Sequence, residues 1–242
     1  MGDTKRAVVL AAGIGSRLHP LTKDSPKALV RVGEESILGR AVRLLATQGV
    51  TELIVATGFR EDAIREALQD CPVKVSYFRN DAYDSTQNSV SLQLCAPALR
   101  GHSFFKLDGD VLFMPSVLER LAADPSDLAV AVDCGRLLDA EAMKVRADGS
   151  KILSFGKEIA LEESRGESIG IELVGAEMSP RLFDCMGASI DAGDTGQYYE
   201  AYYSQLVNQG LQAGLVDVSD LPWTEIDDHD DLAEAERLIP QM

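Results

Sequence analysis

The 242-residue chain contains no apolar run long enough to cross a bilayer, no CxxC pair, no Cys/His cluster and no excess of basic residues. Each absence removes a class of protein. A transmembrane helix needs about 20 consecutive apolar residues, so none is expected. Cys71, Cys95, Cys134 and Cys185 are scattered singly, which argues against a zinc site or a disulfide framework and reads as buried free thiols. A formal charge of -16 excludes a phosphate track for nucleic acid, which needs a basic footprint. Phosphate chemistry here must rest on a few local cations or a divalent metal. The opening MGDTKRAVVLAAG leads directly into a glycine turn instead of a small-residue processing site, which argues against a cleavable leader and for the cytoplasm. There is also no internal repeat, low-complexity segment or linker. With 45% hydrophobic residues, residues 1–242 are expected to form one domain with a sizeable core.

What is present is a regular alternation of strand-like and helix-like segments. AVVLAA is a short apolar run, and SILGRAVRLLATQG then places Ile37, Leu38, Ala41, Leu44 and Leu45 at helical spacing before stopping at Gly49. ELIVATG with EDAIREALQD repeats the pattern, as does VKVSYF with SVSLQLCAPAL. SFFKLDGDVLF runs a strand into an acidic turn, and Pro115 opens the next helix. In the second half, Asp148 and Gly149 sit between two strand-like runs and signal a β-hairpin. ESIGIELVGAEM reads as a strand, and GQYYEAYYSQLVNQG and LAEAERLI as helices. The fold class is α/β: a Rossmann-like three-layer α/β/α arrangement with a mostly parallel central sheet and a small β-hairpin subregion. Such sheets bind ligands at the carboxyl ends of their strands, so the loops after the first, third and fourth strands are the places to look.

The first of these loops is the most informative. In LAAGIGSRLHPLTKDSPKALV, Gly13 and Gly15 permit close backbone approach, so the amides from Ala12 to Ser16 can point at phosphate oxygens, while Arg17 and Lys27 add charge. The spacing fits neither a P-loop, which requires GKS or GKT, nor GxGxxG, because Leu18 stands where the third glycine belongs. A dinucleotide dehydrogenase is disfavoured for that reason and because VATGF ends the second strand without an acidic ribose partner.

The complete string resembles the nucleotidyltransferase signature L-A-A-G-x-G-x-R-L-x-P-L-T-x-x-x-P-K-x-L-V of enzymes that join a nucleoside triphosphate to a phosphorylated sugar or alcohol. His19 occupies a position where that family often has arginine or another polar residue. The resemblance implies that Leu10, Ala11, Ala12, Gly13, Gly15 and Ser16 wrap the triphosphate. It implies that Arg17 neutralises departing pyrophosphate and that Lys27 sits between the α-phosphate and the acceptor. KLDGDVLF resembles the family's metal-binding strand end, with Asp110 on Mg2+ and Asp108 beside the nucleotide or the metal. An Asp-Gly-Asp turn is also an ordinary solvated loop. WTEIDDHDDLAEAERL resembles the C-terminal segment whose aspartate, here Asp227, is the second metal carboxylate; Asp228, Asp230 and Asp231 read as helix N-terminal acids. Lys157 in SFGKEI resembles a second lysine that grips the acceptor phosphate, or else is an exposed strand-end residue. A homodimer follows from family habit alone.

Base and acceptor depend on later segments. RNDAYDSTQNSVSL resembles the phosphocholine cytidylyltransferase branch and its relatives acting on inositol phosphate or aminoethylphosphonate, which implies CTP. Asn80, Asn88 and Ser89 then flank the nucleobase, or serve as turn and N-cap residues. Tyr83, Lys144, Glu167, Ser168, Gly170 and Trp223 are the acceptor candidates, with Glu167 placed to face an ammonium and Tyr83 and Trp223 as aromatic faces. Tyr198, Tyr199, Tyr202 and Tyr203 read as helix packing. The expected activity is Mg2+-dependent transfer from CTP to a small alcohol phosphate. Two alternatives remain open: a sugar-1-phosphate enzyme using UTP or dTTP, and an inactive nucleotide-sensing domain.

Overall fold

The computed structural model describes residues 4–242; the tripeptide 1–3, part of the reading against a leader, lies outside them. The first half runs β1 (Arg6–Ala11), β2 (Arg31–Val32), β3 (Glu35–Ser36), α1 (Ile37–Thr47), β4 (Glu52–Thr57), α2 (Glu61–Ala67), β5 (Lys74–Arg79), α3 (Asn88–Leu94), α4 (Ala96–Leu99) and β6 (Phe104–Asp108). The second runs β7 (Val111–Phe113), α5 (Pro115–Ala123), β8 (Leu128–Asp133), β9 (Lys144–Asp148), β10 (Lys151–Gly156), β11 (Gly166–Val174), α6 (Met178–Asp191), α7 (Tyr199–Asn208), β12 (Ala213–Asp217), β13 (Trp223–Glu225) and α8 (His229–Leu238).

The central sheet has the order β5-β4-β1-β6-β11-β8-β12-β10-β9. Strands β5, β4, β1 and β6 are parallel, joined by helical crossovers. The second half is mixed. Helix α5 returns the chain to β8, which leaves a slot beside β6 that β11 fills antiparallel to both neighbours. The Asp148 hairpin forms as expected: Asp148 pairs with Lys151, and Gly149 turns at φ 58°. β9 also pairs with the start of β11, bringing Lys144 opposite Glu167.

Both faces of the sheet are covered, which is why its strands are continuous apolar runs. Val9 and Ala11 pack with Leu38, Leu45, Ile64 and Leu118 from α1, α2 and α5 on one side. Val8 packs with Leu92, Leu182, Phe183 and Tyr203 from α3, α6 and α7 on the other. Helix α1 starts where the Ser36 hydroxyl accepts the Gly39 amide at 3.0 Å. All four cysteines are free thiols, but only Cys95 is buried; Cys71, Cys134 and Cys185 are half-buried, a correction to the expectation from sequence.

From β1 the chain passes to β4 on one side, and from β5 it crosses to β6 on the other, so a crevice opens between the carboxyl ends of β1 and β6. The Gly109 amide donates to the Leu10 carbonyl at 3.0 Å across this opening, and a Cβ on Gly109 would stand 2.5 Å from that oxygen. Only glycine permits the approach. A small third core seals the loop after β1 from beneath: Leu18, Val30 and Ile37 pack against Leu112, Ile226 and Ala235. Leu18 is fully buried there. Leu18→Ala is therefore expected to cost about 2–5 kcal/mol, read as a lower urea midpoint at unchanged m-value.

Candidate active site

The site is assembled by the short ladder between β13 and β7. Glu225 pairs with Val111, and the Ile226 amide donates to the Asp110 carbonyl at 3.0 Å, which brings Asp227 to the end of β6 beside Asp110. Lys27 lies between them, donating through Nζ to Asp110 Oδ2 at 2.7 Å and to Asp227 Oδ1. Arg17 Nη2 meets Asp227 Oδ2 at 2.5 Å. The stem of Lys27 is held by Gly15, which turns at φ 70° and whose Cβ, if present, would lie 2.8 Å from Lys27 Cβ. Thr22 Oγ1 donates to the Gly15 carbonyl at 2.6 Å and fixes the loop. Beyond Asp227, Asp228 and Asp231 form a capping box on α8, the role expected for these acids.

Glu225 completes the arrangement. Asp110, Glu225 and Asp227 each present an oxygen, all within 4.8 Å of one another. Sequence reasoning missed Glu225, although its position two residues before Asp227 in an extended segment places both side chains on one face. Asp110 Oδ1 is buried and has no hydrogen-bond donor. An orphaned carboxylate oxygen beside two further carboxylates is the hard donor set that suits Mg2+. Burial alone would discharge Lys27, but Asp110 and Asp227 outweigh it and raise its pKa. For Asp227, burial acts upward while Lys27 and Arg17 hold the carboxyl below its ordinary range. Glu225 is exposed by surface area, yet the protein atoms packed around it and the charges of Asp110 and Asp227 push it up to about 8.

Asp108 stands outside this trio. Its Oδ1 accepts from the fully buried Lys106 at 2.9 Å and its Oδ2 from the Tyr199 hydroxyl at 2.8 Å. Lys106 Nζ also meets Glu172 Oε2 at 3.3 Å and lies 3.5 Å from the centre of the Tyr199 ring. Gly170 makes this possible: it turns at φ 73°, within an irregularity in the β11–β8 pairing, and a Cβ there would stand 2.4 Å from Asp108 Oδ2. Tyr199, read from sequence as packing alone, thus also carries a polar role. Burial, reinforced by neighbouring acids, raises Glu172 to about 8 and Glu200 to about 7, against the lowering pull of Lys106.

Three cavities run along the crevice, and Glu225 lines all of them. One of about 300 Å³ is walled by Leu10, Ala12, Gly13, Tyr83, Gln87 and Asn88. Tyr83, expected on the acceptor side, therefore lies with the glycine loop. A second, of about 130 Å³, brings together Lys157, Glu167, Ser168 and Gly170. The third, also about 300 Å³, is lined by Arg17, Lys157, Glu167, Trp223 and Asp227. Trp223 is held by its indole N–H, which donates to Asp133 Oδ2 at 2.7 Å, and Arg136 covers its ring at 4.8 Å. Ala11 is buried in the core and Ser16 is exposed in the loop.

Three expected contact residues are spent on structure. Asn80 is buried and donates to Thr86 Oγ1 and Ser91 Oγ while accepting the Ala82 amide, so it shapes its loop and lines none of the three cavities. Ser89 is buried and donates to the Gln197 carbonyl. Lys144 is buried with Nζ on the Lys157 carbonyl at 2.7 Å, so it positions the Lys157 backbone and lines none of the three cavities. Asn88 opens α3 and accepts the Tyr199 amide at 3.1 Å while still lining two cavities.

The profile of the MobA-like NTP transferase domain matches residues 7–185. The CMP-5'-(3-aminopropyl)phosphonate synthase of Streptomyces rubellomurinus is 33% identical over 96% of the chain, which spans only 38% of that protein's length. The CTP:phosphoglutamine cytidylyltransferase of Campylobacter jejuni is 28% identical over 68% of the chain and 71% of its own. Among solved structures, the inositol-1-phosphate CTP transferase from T. maritima superposes with a TM-score of 0.84 at 25% identity, covering 99% of this chain and 96% of that one.

The buried acids predict a pH dependence of stability. Glu172 and Glu200 keep protons in the folded chain that the unfolded chain releases above about 4.5, so folding stability contributed by them falls as pH rises from about 5 to about 8. Urea midpoints measured across that range are expected to decline, and less steeply in Glu172→Gln, whose amide mimics the protonated acid.

Proposed function

The chain belongs to the family of MobA-like NTP transferase domains, and we propose that it moves the cytidylyl group of CTP onto a phosphorylated small alcohol or the corresponding phosphonate, releasing pyrophosphate. The observation that carries this reading is the convergence of Arg17 and Lys27 with Asp110, Glu225 and Asp227 at the crevice between β1 and β6. Cytidine is favoured because similar proteins covering most of the chain are named for CMP or CTP chemistry. The chain spans less than half the length of the Streptomyces rubellomurinus protein.

The base and ribose are assigned to the cavity walled by Gly13, Tyr83, Gln87 and Asn88. Gly13 supports the assignment: a Cβ there would meet nothing within 4 Å, so protein packing gives no reason for glycine, whereas a phosphate brought against the loop amides does. Mg2+ would be held by Asp110, Asp227 and Glu225, and bound there it supplies charge neutralisation for the α-phosphate and the incoming oxygen. The acceptor's phosphate or phosphonate oxygen attacks the α-phosphorus in line, and pyrophosphate leaves from the opposite side. Lys27, kept charged by its carboxylates, presents a fixed cation to the reacting oxygens. Arg17, more exposed, stabilises the leaving group, and Lys157 orients the acceptor. Transfer needs no covalent intermediate, so position and charge carry the catalysis.

Pyrophosphate release with Mg2+ and each of CTP, UTP, dTTP, ATP and GTP, against alcohol phosphates, phosphonates and sugar-1-phosphates, tests the reading. Turnover with CTP and a small alcohol phosphate or phosphonate is expected. Turnover only with UTP or dTTP and a sugar phosphate would overturn the base assignment, and silence throughout would leave a sensing domain. Asp110→Asn and Lys27→Ala are each expected to lower kcat by about 100-fold or more, and full turnover in either would remove that residue from the mechanism. Gly13→Ala should keep its urea midpoint while raising KM for CTP, which separates ligand approach from folding.

A further inference from the structure

The 130 Å³ cavity is lined by acidic groups that, Glu225 aside, the transfer mechanism does not use. Beside Glu225 its walls include Asp108, Glu141, Glu167 and Glu200, with Lys157 as the only cation among the described residues, and Lys157 is already paired with Glu141 at 3.1 Å. Behind the wall, the buried cation Lys106 meets Asp108 and Glu172, and its charge also acts on Glu200. Two wall residues are more than nine-tenths buried and have an unpartnered polar atom: Glu200, 5% exposed, through Oε2, and Ser168, 7% exposed, through Oγ. A buried polar oxygen without a partner is costly unless a ligand completes it.

Resting on the transferase reading, we infer that this cavity is a subsite for a primary ammonium at the end of the acceptor remote from its phosphorus, so that the acceptor is an ω-aminoalkyl phosphate or phosphonate. Glu200 Oε2 and Ser168 Oγ accept its N–H groups, and Asp108 and Glu167 contribute field. Val111, Met143 and Ile169 supply apolar wall for a short methylene chain, and Lys157 and Glu225 mark the phosphate end. The geometry selects against a quaternary ammonium. Such a cation has no N–H to give and is recognised by several aromatic faces, whereas Tyr198 is the only ring on this cavity among the described residues. The Trp223 face is taken by Arg136, and Tyr83 lies on the nucleotide side. A neutral polyol would leave the surplus charge unanswered. Burial that pushes Glu200 up to about 7 is relieved when an ammonium arrives, which favours ionised Glu200 in the complex.

The test titrates 3-aminopropylphosphonate, its N,N,N-trimethyl analogue and propylphosphonate into the full chain by calorimetry, with Mg2+ and non-transferring α,β-methylene CTP. A charge-assisted hydrogen bond predicts that the primary amine binds about 10- to 100-fold tighter than propylphosphonate, and tighter than the trimethyl compound. Glu200→Gln should shrink the first ratio to within about threefold. Equal affinities, tightest binding by the trimethyl compound, or no detectable binding of the amine overturns the subsite. Pyrophosphate release with CTP is followed separately on the unmodified chain. Amine preference in binding without release would strike the transferase reading and sustain the subsite, while release at equal rates from amine and alkyl acceptors would do the reverse.

Discussion

Lys27 bridging Asp110 and Asp227 is the contact on which the site depends. It joins residues 83 and 200 positions apart, so it ties the loop after β1, the end of β6 and the segment after β13 to one point. Two carboxylates this close repel, and a third at Glu225 adds to the repulsion; a fixed cation at the centre makes the cluster tolerable in the fold. The same electrostatics prepare the site for anions and hard cations. The carboxylates keep Lys27 charged despite burial, and one buried Asp110 oxygen is left without a donor.

The rest of the architecture serves that convergence. The switch in strand order opens the crevice, Gly109 lets β6 close against Leu10, and the β13–β7 ladder delivers Asp227. Leu18 and its neighbours brace the glycine loop from below. A second electrostatic layer lies deeper, where Lys106 holds Asp108 and Glu172 against Tyr199. That layer turns Asp108 away from Asp110, Glu225 and Asp227 and adds to the acidity of the neighbouring cavity.

Much of this was legible in the chain because it is local. The alternation of apolar strands and amphipathic helices, the Asp148-Gly149 turn and the Pro115 helix start are short-range signals, and each appears where expected. The glycine loop with Arg17 and Lys27, and the acids at 110 and 227, were visible as motif positions. Less visible were residues whose chemistry depends on burial. Asn80, Ser89 and Lys144 have side chains that can bind a ligand equally well in sequence, but the fold surrounds each with protein partners. Glu200 is one acid on a helix of tyrosines, and only the packing of α7 on β10 leaves its Oε2 buried without a partner.

The sequence by itself therefore determined the layered α/β class, the glycine loop and its two cations, since periodicity and glycine placement act within a few residues. Only the tertiary structure decided which carboxylates meet. Asp108 and Asp110 are two residues apart and of one type, yet one is bound to a buried lysine and tyrosine and the other opens onto the crevice with Glu225 and Asp227. The difference comes from strands β7, β11 and β13 arriving from distant parts of the chain. Charge environment is a sum over such neighbours, and no local pattern encodes it.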